Sequence, residues 1–211
     1  MLVEHLLNAY EHIASNGSYD DLKRFNDQVR NLLFDFSHFT QEIHFDENDM
    51  AQDYGSQVIY DRSGKNESLI ATATLGDGNC YYHSLSMCLN GSFDLSKELR
   101  LSTVFSMIEN RDSLEEIGQQ KHWIMMCDDF FTEVQKCAKL GQPVNMFAVA
   151  ASALMVPRKV NCMYPPENLV LSPHGTTGVD GYIEMCSGLY GRMDAGDTQE
   201  IKVHFAFDFT H

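Results

Sequence analysis

The sequence predicts an α+β fold, with helices in the earlier part of the chain and short strands in the later part. Up to residue 157, apolar side chains recur mostly at the spacing of amphipathic helices. After Pro157, short alternating or aromatic segments replace that pattern. Helices followed by strands are typical of α+β proteins rather than of a regular βαβ array. The 211 residues, 44% apolar and 21% charged, suit one globular domain with or without a helical extension.

The first 66 residues predict a helical extension that is followed by an acidic connection. A helical stripe is formed by Leu2, Leu6, Leu7, Tyr10 and Ile13. Asn16 and Gly17 end this helix, and a second helix is expected from about Ser18 or Asp20 to Phe36. Residues 40–66 are polar and acidic without a sustained period, which indicates a loop-rich connection. We therefore divide the chain into an extension, 1–66, and a main domain, 67–211.

The main domain is expected to begin with a short β-type segment at residues 69–74. The apolar spacing then predicts four helices: one from Cys80 to Asn90, one along the stripe from Leu95 to Ile108, one from Trp123 to Ala138, and one capped by Asn145 and running to Leu154. Three strand candidates follow at residues 158–164, 181–187 and 203–209.

Composition restricts the cellular setting and the cofactors. The chain has six cysteines, mostly within apolar periodic segments and without C-x-x-C spacing, which favours reduced thiols over disulfides or a zinc site. The first residues lack the basic and apolar regions of a signal peptide, so we expect an intracellular protein, cytoplasmic or nuclear. We expect no metal or organic cofactor. No apolar run is long enough to span a bilayer, so no membrane association is expected.

The charge makes nucleic acid a poor partner. Thirty acidic and 15 basic side chains give a formal net charge of −15, which repels phosphate backbones. A basic protein surface is a better partner, and solubility alone explains the charge equally well. The sequence leaves the oligomeric state open.

The segment with the clearest chemistry is GDGNCYYHSLS, residues 76–86. A tight glycine-bearing turn leads directly into a helix, and Cys80 stands where that helix starts. Unpaired N–H groups and the positive end of the helix dipole stabilise a thiolate at such a position. Gly78 can adopt the positive φ that the turn needs, and the amides around Gly78 and Asn79 can face a developing oxyanion. The segment thus offers a nucleophile and an anion hole together.

Simpler interpretations stand beside this one. Cys80 could be a small buried core residue, as free cysteines usually are, although the turn before it argues against this. His83 is expected on the helix surface rather than as a second base. Tyr81, Tyr82 and Trp123 are expected to pack in the core or at its rim.

The sequence Asp77-Gly78-Asn79-Cys80, followed by two aromatic residues, resembles the catalytic-cysteine signature of ovarian-tumour (OTU) cysteine proteases. Leu99 and Arg100 match the Leu-Arg pair of that family, and the likeness extends from about residue 69 to the end of the chain. Within the family, the chain most resembles the divergent domains of vertnin-type proteins and of mobile-element or viral relatives. The resemblance implies a papain-like OTU fold, in which helices flank a small central mixed or antiparallel sheet.

The resemblance also implies a catalytic histidine near the end of the chain, at a late strand. His204 precedes an aromatic residue and is preferred as the base; His211 is the alternative, although no residue follows it in this sequence. The family pattern counts Asp77 among the active residues. Many members orient the histidine with an Asp or Asn two positions later, where this chain has Ala206. Asp208 shares a predicted strand face with His204, without support from the family.

These features predict a thiol isopeptidase, or deubiquitinase, that acts on conjugates of ubiquitin or a ubiquitin-like protein. The nucleophile would be Cys80 and the base His204, with Asp77 and the turn helping to hold the oxyanion. The alternatives are a catalytically weak or inactive binding module, as Ala206 suggests, and a papain-like protease that processes a viral or mobile-element polyprotein.

Overall fold

A computed structural model describes residues 2–40, 43, 51–54, 57, 72–121, 123, 127–163, 188–190 and 201–204. Its helices are α1 (Leu2–Asn16), α2 (Tyr19–Val29), a 3-10 turn (Arg30–Leu32), α3 (Cys80–Asn90), α4 (Ser96–Glu109), α5 (Arg111–Gln120), α6 (Phe130–Ala138) and α7 (Met146–Met155). Its strands are β1 (Val160–Met163), β2 (Gly188–Tyr190) and β3 (Ile201–His204).

The predicted α+β, papain-like fold with a central sheet is wrong, because the described residues are mostly helical. The strands among them have only three or four residues each. They pair in the order β2-β1-β3, with β1 antiparallel to β2 and parallel to β3. The centre of the described structure is instead a helix, α4, around which the other helices pack.

Helix α4 takes the central position because it is buried on nearly all sides. It contacts all six other described helices. Its apolar residues Val104 and Met107 have no solvent exposure. Two of its small polar residues form hydrogen bonds: Thr103 Oγ1 donates to Leu99 O at 2.7 Å, and Ser106 Oγ donates to Ala151 O at 2.9 Å. The buried Ser102 Oγ has no hydrogen-bond partner among the described residues. A helix with such small side chains can accept neighbours on several faces.

The two N-terminal helices share this core. A buried polar residue, Asn26, joins α1 and α2 to α4. Its Oδ1 accepts from the Tyr10 hydroxyl at 2.6 Å, and its Nδ2 donates to Phe105 O at 3.1 Å and to Glu109 Oε1 at 3.0 Å. All polar atoms of this buried amide are therefore paired, which makes the contact specific. The boundary expected near residue 66 lies outside the described residues.

Several helix boundaries differ from the sequence prediction. Helix α2 ends at Val29 and continues as the 3-10 turn, so it is shorter than the predicted helix to Phe36. Helix α6 begins at Phe130 rather than near Trp123, because Asp129 caps it by accepting from two first-turn amides. Helix α5 was not predicted, since its narrow apolar stripe buries little more than Leu114.

The strands agree only in part with their candidates. β1 lies within the predicted segment 158–164, and β3 begins before the predicted segment 203–209. The candidate at 181–187 lies outside the described residues. In the candidate at 69–74, Thr72 forms an isolated antiparallel bridge with Gln52. None of the helices in the described ranges has the length and apolar content needed to cross a bilayer.

Candidate thiol site

Cys80 is the first residue of α3, and its side chain is exposed to solvent. This placement matches the predicted nucleophile rather than a buried core cysteine. Asn79, at the N-cap position, makes no capping hydrogen bond to α3 through its side chain. The N–H groups of a first helical turn have no partner within the helix. The Asn79 side chain caps none of them in α3, the helix whose first residue carries the thiol.

The turn before Cys80 is held in one conformation by its own residues. Asp77 Oδ1 accepts a hydrogen bond from Asn79 N at 2.8 Å, which closes an Asx turn. Gly78 has φ 77°, a left-handed value that favours glycine. A Cβ at Gly78 would lie 2.0 Å from Gly141 O, so the backbone of a second loop excludes any side chain there. The Asn79 N–H is therefore committed to the turn and is not a donor for an oxyanion.

A buried arginine fastens this turn to the second loop. Arg100 Nη2 donates to Gly78 O at 3.0 Å and to Gln142 O at 2.8 Å. Its Nη1 donates to Cys137 O at 2.9 Å and to Lys139 O at 3.0 Å. Arg100 is 1% exposed, and within the described residues no carboxylate forms an ion pair with it. Its charge is thus balanced by four carbonyl dipoles, one of which belongs to the turn before Cys80.

The two aromatic residues after Cys80 attach α3 to the core. Both Tyr81 and Tyr82 are buried, as expected for packing residues. The Arg100 guanidinium lies 4.5 Å from the centre of the Tyr82 ring, within range of a cation–π interaction. The Tyr82 hydroxyl is 3.2 Å from Cys137 Sγ, and burial raises the pKa of both groups. Cys137 is therefore a neutral core thiol, whereas the side chain of Cys80 is exposed to solvent.

A polar network connects Asp77 with α3 and α4. His83 Nε2 lies 3.1 and 3.2 Å from the two carboxylate oxygens of Asp77, and its Nδ1 lies 2.8 Å from Ser96 Oγ. Partial desolvation acts to raise the pKa of Asp77, but hydrogen bonds from Asn79 and His83 outweigh it and lower the pKa to about 2. His83 is buried, so the prediction that it lies on the helix surface is wrong. Both of its nitrogens are occupied, which argues against a second base.

For the predicted base, His204, only the backbone position relative to this site is described. His204 is the last residue of β3, and β3 contacts α3, the helix that begins with Cys80. The pairing of Cys80 with His204 stays a prediction. The alternative base His211, and the residues Ala206 and Asp208, lie outside the described residues. In the part of the chain that the structure describes, no group of three or more His, Cys, Asp or Glu side chains could hold a metal ion.

The sequence prediction missed the residues that support the turn. The sequence identifies Arg100 only as part of a motif and gives Gly141 no role. A signal is present for each: an arginine within an apolar helical stripe, and a glycine three residues after the end of a helix. Neither signal indicates which loop the residue contacts, because both contacts join segments that are distant along the chain.

In comparisons with known proteins, no family model matches the chain and no curated protein is significantly similar to it. The resemblance to the OTU signature therefore stays a prediction that depends on residues 77–85 and on Leu99 and Arg100.

Proposed function

We propose that this protein is a thiol-dependent isopeptidase that hydrolyses conjugates of ubiquitin or a ubiquitin-like protein. The observation that carries the proposal is the exposed Cys80 thiol at the start of α3. It directly follows a turn whose Gly78 carbonyl accepts a hydrogen bond from the buried Arg100. The substrate class comes from the OTU-like signature around Cys80. The chemistry that the site itself supports is acyl transfer to a thiolate.

The first step is the attack of the Cys80 thiolate on the carbonyl carbon of the isopeptide bond. A C–S bond forms, and the carbonyl electron pair moves to the oxygen. The N–H of Cys80, the first amide of α3, is suited to donate a hydrogen bond to that oxyanion. The Asn79 N–H is bound to Asp77 and is not a second donor.

The second step needs an acid and the third step a base. The imidazolium, formed when the imidazole took the proton of the Cys80 thiol, gives that proton to the lysine amine as the C–N bond breaks and the carbonyl re-forms, which leaves a thioester on Cys80. The neutral imidazole then takes a proton from water, the hydroxide attacks the thioester, and the thiolate returns. We assign this imidazole to His204, because β3 ends at His204 and packs next to α3.

A binding module without hydrolysis is the second candidate, and one observation favours it. The carboxylate of Asp77 is already engaged by Asn79 N and His83 Nε2. Since position 206 is alanine, neither acidic position implied by the family pattern is free to orient His204. A poorly oriented imidazole is a weak base, so such a domain could bind ubiquitin without cleaving conjugates efficiently.

An electrophilic ubiquitin probe separates the two candidates. The full chain is incubated with ubiquitin that carries a C-terminal propargylamide, and the adduct is located by peptide mass spectrometry. Isopeptidase chemistry predicts an adduct on Cys80 that disappears in Cys80→Ala and falls at least tenfold in His204→Gln. Labelling that persists in Cys80→Ala, or no labelling of the folded wild type, would contradict the enzyme. If the folded wild type is not labelled, and both it and Cys80→Ala still bind ubiquitin, the binding module is supported instead.

A further inference from the structure

The hydrogen-bond partners of His83 determine where its protons lie. Ser96 Oγ is 2.6 Å from Phe93 O, and a carbonyl oxygen can only accept, so the hydroxyl hydrogen points to Phe93. Ser96 Oγ can then only accept from His83 Nδ1, 2.8 Å away. The Nδ1 atom therefore carries a hydrogen.

The other nitrogen faces a carboxylate. His83 Nε2 lies 3.1 and 3.2 Å from the two oxygens of Asp77. The Asp77 carboxyl, which accepts a hydrogen bond from Asn79 N, is ionised at neutral pH and can only accept. If Nε2 carried no hydrogen, its lone pair would face the negatively charged oxygens of Asp77, and the two acceptors would repel each other. The Nε2 atom therefore also carries a hydrogen.

We propose that His83 is an imidazolium that positions the turn of the thiol site, by bridging Asp77 to Ser96 at the start of α4. The inference deepens the proposed function and rests on it for the catalytic importance of the turn. The proton count itself rests on the hydrogen-bond distances around the ring and on the ionised carboxylate of Asp77. His83 touches no reacting atom in this scheme; it acts through Asp77, whose carboxylate also holds Asn79 N.

The surroundings of the ring limit its contact with water. His83 is 8% exposed, and the Phe93 ring lies 5.0 Å from it. Among the described side chains, Asp77 is the titratable group in contact with the ring. The neighbouring strand β3 brings two further titratable residues, Lys202 and His204, to the same helix. The ion pair with Asp77 is partly shielded from water on the histidine side, and it is therefore screened less than a fully exposed pair.

The protonation state can be measured directly in the wild-type chain. We expect the 15N resonances of His83, assigned by their absence in His83→Gln, to show two protonated nitrogens at pH 7. In Asp77→Asn the Asn79 N–H keeps the amide oxygen as its acceptor, so the new NH2 group faces His83 Nε2, and we expect only Nδ1 to carry a hydrogen. A neutral ring in the wild type at pH 7, or two protonated nitrogens that persist in Asp77→Asn, would overturn the proposal. This test does not depend on any enzymatic activity.

The positioning role is tested by the reactivity of Cys80. Alkylation of Cys80 by iodoacetamide is followed by peptide mass spectrometry between pH 5.5 and 8.5. We expect His83→Gln to react at least fivefold more slowly at pH 7 than the wild type. His83→Arg, which keeps a planar cation with several donors, should restore the rate. The exposed His5→Gln is the matched control and should leave the rate unchanged.

The outcomes separate this inference from the proposed function. Equal rates in folded His83→Gln and wild type, or a folded His83→Arg that is as slow as His83→Gln, would overturn the positioning role. If the 15N shifts and the alkylation rates agree with the inference while the ubiquitin probe labels nothing, the proposed isopeptidase activity fails and the positioning of the thiol stands.

Discussion

Among the described helices, α3, α5 and α7 begin directly after an asparagine, and α3 and α7 use it differently. At the start of α7, Asn145 has ψ 170°, and its Oδ1 accepts from Ala148 N at 2.7 Å. At the start of α3, Asn79 has ψ 9° and does not cap the helix. Its Oδ1 instead faces Gly141 N at 3.4 Å. The same residue at the same position thus closes one helix start and leaves the other without a cap.

The backbone conformation explains the difference. An extended ψ at the N-cap places the side-chain oxygen over the first-turn amides, which is the usual capping geometry. Near Asn79 that conformation is excluded, because Asp77 holds Asn79 N and Gly78 packs against Gly141. The comparison indicates that the contacts behind the turn, rather than the choice of asparagine, keep the start of α3 open for Cys80.

Among the contacts that hold the turn before α3, removal of the Arg100 side chain is expected to have the largest effect on stability. In Arg100→Ala, four carbonyl oxygens lose their donor in a buried place, so we expect the free energy of unfolding to fall by about 4 kcal/mol. Urea denaturation of the full chain measures this change. Arg100→Lys keeps the charge but not the planar fork and should recover only part of the loss. A loss below about 1 kcal/mol in Arg100→Ala would show that the carbonyls find other partners.

A smaller effect is expected from adding one methyl group to the turn. Gly78→Ala places a Cβ 2.0 Å from Gly141 O on a backbone with φ 77°. Left-handed strain and the clash together should lower the free energy of unfolding by about 2–3 kcal/mol and slow Cys80 alkylation. Gly76→Ala is the matched control, since no atom lies within 4 Å of a Cβ there. Equal stabilities for the two variants would remove Gly141 as the constraint on the turn.

The smallest effect concerns the two asparagines themselves. Asn145→Ala loses a capping bond and should lower the free energy of unfolding by about 1 kcal/mol. Asn79→Ala loses no cap and should change it by only about 0.3 kcal/mol, near the limit of detection. Thermal denaturation of the two variants side by side checks this order. The reverse order would mean that Asn79 stabilises α3 more than its geometry indicates.

The sequence predicted the local features of this fold better than its architecture. Helical periodicity predicted α1, α3 and α4, and the turn chemistry correctly indicated a thiol at a helix start. The predicted central sheet is wrong, because order along the chain does not reveal which element becomes buried. In the sequence, small polar residues of α4 such as Ser102, Thr103 and Ser106 suggest a partly exposed helix. In the structure these residues are buried.

The support of the candidate site was harder to predict than the nucleophile. The nucleophile and its turn lie within five consecutive residues, so local rules suffice. Ser96 and Arg100 belong to α4, and Gly141 belongs to the loop after α6. Only tertiary contacts bring them close to the turn and to His83. A sequence pattern contains no distance between such segments, and His83 therefore looked like a surface residue.

The guanidinium under the turn limits how the site can be transferred to another protein. Residues 76–83 would carry the thiol and its Asx turn into a new scaffold, but not the four-carbonyl cradle that Arg100 fills. A successful graft must include the arginine and the segment at residues 137–142, which contains the end of α6 and the glycine that faces Gly78. The smallest portable unit of this chemistry is therefore a pair of loops with the helix between them, and not the cysteine motif alone.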